Sequence, residues 1–154
     1  MPTDYANHLI SWADTSTQSE SIPGDLIAVL EQHVRQTPDK LTFTFLMDGE
    51  NQEKLLSYAQ LHTQAKRIAI RLKKMTKCGE RALLLYPPGL EYIAAFMGCL
   101  YANVVAVPIY PPSKHSLHRL KAIIEDATPT LVLTGYSWSK FFQMRAILFV
   151  SLVS

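Results

Sequence analysis

Residues 81–109 read RALLLYPPGLEYIAAFMGCLYANVVAVPI, a stretch in which two short apolar runs flank a longer one built from helix-forming residues. Ala82–Tyr86 is apolar throughout and is stopped by Pro87 and Pro88, as expected of a buried strand. Leu90–Ala102 favours helix, and Val104–Pro108 returns to β-branched residues. Downstream, Leu117–Ala127 repeats the helical pattern and Thr130–Thr134 the strand pattern. The order is βαβαβ. Strands without a polar face need cover on both sides, so the fold class is α/β with a three-stranded parallel sheet and right-handed crossovers. Asn103 stands where the helix turns directly into the next strand. A left-handed residue is required there, and Asn substitutes for Gly in that role, so φ should be positive.

Working back towards the N-terminus, Gly24–Gln36 places Leu26, Ile27, Leu30 and Val34 on one face, and Pro38 ends the run, which predicts an amphipathic helix. Leu41–Met47 alternates apolar residues with threonines. Asp48-Gly49 then supplies turn chemistry before Glu53–Leu56, so a hairpin is expected. Ser57-x-x-Gln60 has the form of a capping box for a helix reaching about Lys74, with Tyr58, Leu61, Ala65, Ile68 and Leu72 as its apolar stripe.

Composition narrows the function classes. Fifteen Lys and Arg against thirteen Asp and Glu leave a net charge of +2, which offers no field for nucleic acid. Two cysteines make no disulfide framework, and no Cys and His spacing resembles a zinc site. Met1–Ser21 lacks the basic start and apolar run of a signal peptide and reads as a loose lead-in. These features point to a cytoplasmic protein. The 22 residues from Tyr92 to Ser113 carry no charge, enough in length for a bilayer span. Asn103, Pro108 and the change from helix-forming to β-branched residues favour two buried elements over one span.

The segments LLSYAQL (Leu55–Leu61), LLLYPPG (Leu83–Gly89), CLYANVVAVPIYPP (Cys99–Pro112) and RLKAIIEDATPTLVLT (Arg119–Thr134) together resemble the N-terminal region of the fatty acyl-AMP ligases, a branch of the adenylate-forming superfamily. The resemblance implies the N-terminal part of the adenylate-forming fold, an incomplete domain, with residues 22–135 as a portion of an AMP-binding domain. Asn103 departs from the Gly usual in the family. Residues 136–154 form an apolar tail that does not align, expected to be a truncation or frame-shift product, a further buried strand, or sequence foreign to the fold. The implied reaction activates a fatty acid with ATP and Mg²⁺ to an acyl-adenylate, then passes the acyl group to an acyl carrier protein of a polyketide or nonribosomal peptide synthase. That chemistry needs a glycine-rich phosphate loop. Gly135 is the only glycine after Gly98, so catalytic residues are expected to be absent and the chain inactive alone, without appreciable affinity for ATP or Mg²⁺. A stand-alone nucleotide- or acyl-binding module and a membrane-associated protein are the alternatives.

Ligands in open parallel sheets bind beyond the carboxyl ends of strands, which singles out Tyr86, Pro87, Pro88 and Gly89 after one strand and Tyr110, Pro111 and Pro112 after the next as crevice candidates. The same residues also serve as turn chemistry, prolines stopping strands and glycine relieving crowding. Glu91 suits a helix first turn, where the dipole stabilises a carboxylate, better than catalysis. His115 and His118 lack a nearby third metal ligand and read as part of a solvated basic face. Cys99 reads as a small core residue, Cys78 as an exposed thiol, and Tyr92, Phe96 and Tyr101 as core aromatics.

Overall fold

The structure is a computed structural model that describes residues 24–111, 117–135 and 148–151. The elements are α1 (Leu26–Gln36), β1 (Leu41–Leu46), β2 (Glu53–Ser57), α2 (Tyr58–Met75), β3 (Arg81–Leu85), α3 (Leu90–Ala102), β4 (Val105–Ile109), α4 (Leu117–Ala127), β5 (Leu131–Thr134) and β6 (Leu148–Ser151). β1 and β2 form an antiparallel pair, and the other four strands form a parallel sheet in the order β4-β3-β5-β6. The βαβαβ unit is therefore present, with one strand more than the expected three. That strand, β6, comes from the apolar tail and pairs with β5 from Leu131↔Leu148 to Thr134↔Ser151.

The sheet is covered on both faces, which explains why its strands carry no polar face. Alternate residues of a strand point to opposite sides. Ala82, Leu84, Leu131 and Leu133 face a large cluster that includes Leu61, Ala65, Leu72, Ala95 and Cys99 from α2 and α3. Leu83, Leu85 and Val132 face a smaller one with Leu120, Ile123 and Ile124 from α4. From β3 the chain steps to one neighbour and then back across to the other, so crossovers of one hand must place α3 and α4 on opposite faces. They do.

Close contact between α2 and α3 depends on small residues. A Cβ at Gly98 would lie 2.5 Å from Ile68 Cγ2 and 3.1 Å from the Ala65 carbonyl oxygen. α2 begins with both halves of its capping box: Gln60 N donates to Ser57 Oγ at 3.3 Å, and Ser57 N donates to Gln60 Oε1 at 3.0 Å. Asn103 ends α3 with φ 55° and ψ 40°, the left-handed conformation its position requires. Its carbonyl accepts from Gly79 N at 2.8 Å, which ties the α3–β4 turn to the start of β3.

One detail differs from the periodicity reading. Leu26, placed with the packed face of α1, is 53% exposed, because Asp25 caps the helix immediately before it and the first turn projects past the core. The hairpin forms as expected, with Asp48-Gly49 opening the loop between its strands. The Asp48 carboxylate accepts from the amides of Glu50, Asn51 and Gln52 at 2.8–2.9 Å, and Gly49 takes φ 84°. Among the described residues no helix is long and apolar enough to cross a membrane, and residues 92–111 divide between α3 and β4.

Candidate functional site

The carboxyl ends of β3 and β4 open beneath the β1–β2 hairpin, leaving a cleft of about 500 Å³. After β3 the chain passes through Tyr86, Pro87 and Pro88 to Gly89, whose φ of 157° admits the turn into α3. No side chain caps that helix. The hairpin closes the other side: a Cβ at Gly89 would sit 3.9 Å from the Phe45 ring. Of the sequence candidates, Tyr86, Pro87, Pro88, Gly89 and Tyr110 all line the cleft. Pro111 is buried and is not among the lining residues, and Pro112 lies outside the described residues.

Phe43 and Phe45 complete the wall, and neither was a sequence candidate. Their spacing of two puts both rings on one face of β1. The sequence could show that shared face but not what it meets. Tyr92 belongs partly to the core, as expected, and packs near Phe96 with ring centroids 6.2 Å apart. It also reaches the cleft, together with Leu90 and Ile93. Among the described residues no charged side chain lines the cavity, and the lining they supply is chiefly apolar and aromatic.

Strand order reverses between β3 and β5, and the ends of these strands are fastened there by the buried Thr134 hydroxyl, which donates to the Leu85 carbonyl at 3.0 Å. A Cβ at Gly135 would meet Glu91 Oε2 at 2.9 Å, so glycine gives the carboxylate room across the end of β5. Burial, and secondarily the Glu91 charge, push the Tyr86 hydroxyl above its ordinary pKa, so Tyr86 stays a neutral phenol. Glu91 itself is exposed in the first turn of α3, outside the cleft lining. Cys99 is fully buried and its thiol is pushed up to about 12, which removes nucleophilic character; Cys78 is exposed. His118 is exposed on α4, and His115 lies outside the described residues. Among the described residues no group of three or more His, Cys, Asp or Glu is placed to hold a metal.

A parallel sheet wound on both faces, with a cleft beyond its carboxyl ends, defines the class of α/β ligand-binding folds that carry their sites on loops. The AMP-binding enzyme family model matches residues 30–149, and the chain belongs to that family. It is 44% identical over 124 residues to the medium-chain-fatty-acid–[acyl-carrier-protein] ligase JamA of Moorena producens, covering 78% of this chain and 21% of that one. The long-chain-fatty-acid–AMP ligase FadD23 of Mycobacterium tuberculosis is 36% identical over 120 residues, 75% of this chain and 20% of the relative. The crystal structure of a fatty acid AMP ligase from Legionella pneumophila superposes with a TM-score of 0.76 at 36% identity, over 81% of this chain and 23% of that one. The resemblance to fatty acyl-AMP ligases thus holds in sequence and in fold. The chain spans about a fifth of the length of the relatives it matches.

Proposed function

We propose that the chain forms the early part of an adenylate-forming domain that activates a fatty acid with ATP and hands the acyl group to an acyl carrier protein. Its own contribution is architectural: a parallel sheet nucleus and one apolar wall of a crevice. The reading rests chiefly on the shared sheet and loop arrangement with a fatty acid AMP ligase over four-fifths of the chain. Names of relatives support the substrate class, a fatty acid, and for one of them the carrier-protein acceptor.

The cleft does not fit a nucleoside triphosphate. Among the described residues it presents no charged side chain to balance phosphate, and Gly135 is the sole glycine after Gly98, so no glycine-rich loop is available. Mg²⁺ finds no carboxylate cluster among the described residues. No chemical step is therefore assigned to this chain's residues, and the 154 residues are expected to be inactive alone, in the cytoplasm as elsewhere. The parental reaction depends on positioning and on neutralising phosphate charge, and both need groups supplied from outside this segment.

Two measurements test the reading. The chain incubated with ATP, Mg²⁺ and a fatty acid should give no acyl-adenylate by mass spectrometry; product above background would overturn its inactivity. Grafting residues 30–135 in place of the matching segment of the Moorena ligase should preserve adenylate formation. A folded but inactive graft would count against the assignment.

A further inference from the structure

We propose that the outer face of α2 is a peripheral docking surface for an anionic lipid bilayer. The helix carries five cations, Lys66, Arg67, Arg71, Lys73 and Lys74, and no acidic residue. That leaves ten cations against thirteen acids over the rest of the chain, so the modest net charge of +2 hides a strong local asymmetry. All five are exposed. Of them, only Lys66 has an ion-pair partner among the described residues, Glu31 at 3.7 Å.

Helical geometry gathers these charges around one apolar side chain. Residues three and four apart are neighbours on a helix surface, so Ile70 has Lys66 and Arg67 on one side and Lys73 and Lys74 on the other. Ile70 is 58% exposed, and the buried residues Leu61, Ala65, Ile68, Ala69 and Leu72 occupy the opposite face. An exposed aliphatic group ringed by cations fits a bilayer surface: the headgroups attract Lys and Arg, whose long side chains reach the phosphates while the apolar group enters the acyl boundary. Other polyanions fit less well. Single-stranded nucleic acid is held by stacking, and no aromatic residue lies between Lys66 and Met75. A tight protein partner seats its anchors in pockets, whereas this face is one convex helix. Because the apolar stripe of α2 is committed to the core, the contact is shallow, reversible and salt-sensitive. The proposal stands on α2 alone and does not depend on the family reading.

The test sediments the full 154-residue chain with phosphatidylcholine vesicles prepared with and without phosphatidylserine. Binding is expected only with phosphatidylserine, and it should weaken steeply as salt rises and the Debye length contracts. Arg67→Gln, Arg71→Gln and Lys74→Gln combined should lower affinity by about tenfold or more. The same loss of charge at exposed positions elsewhere, Lys40→Gln, Lys54→Gln and Lys121→Gln combined, should lower it far less. Ile70→Gln should weaken binding about threefold and leave its salt dependence in place. Should the first triple variant misfold, the surface is read without removing charge from it. Cys99 is buried, so in a Cys78→Ser chain a polarity-sensitive dye attaches only where a cysteine is introduced. The dye at Ile70→Cys should shift to the blue on phosphatidylserine vesicles, and at Lys121→Cys it should not. Equal binding to phosphatidylcholine alone, equal losses from the two triple variants, or a dye shift at both positions or at neither would overturn the proposal. So would tighter binding of duplex DNA or polyglutamate than of the vesicles at the same ionic strength, which would assign the face to that class of polyanion.

Discussion

Gly98 shows how one residue sets a distance between helices. The Ile68 methyl and the Ala65 carbonyl occupy the place a Cβ would need, and the carbonyl belongs to a helix that cannot yield locally. Gly98→Ala gains helix propensity but must separate α2 from α3. A net loss of about 1–3 kcal/mol is expected from the overpacking, measurable as a lower urea midpoint; an unchanged or higher midpoint would mean the helices adjust freely. Asp48 acts through charge. Three backbone amides hold its carboxylate at about 2, below the ordinary 3.8, so the folded state releases this proton more readily than the unfolded state. Its contribution is full above about pH 4 and fades as pH falls through the folded value. Asp48→Asn should flatten the decline in melting temperature between pH 4 and pH 2 relative to the parent, by circular dichroism. The Gly98 contact was not readable in sequence, since it depends on where two helices meet, whereas the Asp48 contact lies within residues 48–52, where sequence marked turn chemistry but not how many amides the carboxylate would gather.

At the scale of elements, local chemistry and outcome agree most closely where the signal is contained within a few residues. The capping box at Ser57, the αL turn at Asn103 and the boundaries of α3 all follow from neighbours in sequence. Ser57→Ala removes the acceptor for Gln60 N and should cost about 1 kcal/mol, read as a lower denaturation midpoint with unchanged far-ultraviolet ellipticity once folded. Ser57→Asp should recover most of that loss, whereas a purely steric role for the position would make Asp worse than Ala. Leu26 marks the boundary of this kind of inference. Its spacing matches the apolar stripe of α1, yet it lies beyond the reach of the core, and periodicity specifies a face without specifying where the facing surface ends.

For the whole molecule, the consequence of a sheet covered on both faces is symmetrical sensitivity. Leu83 and Leu84 are adjacent, both fully buried, and point into different clusters. Leu83→Ala and Leu84→Ala should each cost about 2–5 kcal/mol, with the two losses close to additive because the side chains share no packing neighbours across the sheet. A small effect at Leu83 would show that α4 does not form a true second layer. The strand order itself lay beyond sequence patterning. Apolar runs predict buried parallel strands but not which neighbour each one takes, and the β5–β6 pairing emerges only in three dimensions.

The sequence by itself determined the α/β class, the positions of the helices and strands between residues 26 and 134, and the family resemblance, because each of these is written in short-range patterns: period, caps, turn residues and motifs. It also indicated that residues after β3 and β4 could share a crevice, since parallel strands bring their carboxyl ends to one side. Only the tertiary structure brought Phe43 and Phe45 over that crevice, set Pro111 apart from it, and added β6 to the sheet. Those outcomes depend on contacts between residues distant in sequence, where the burial of a shared apolar surface decides the arrangement and no local pattern records the partner.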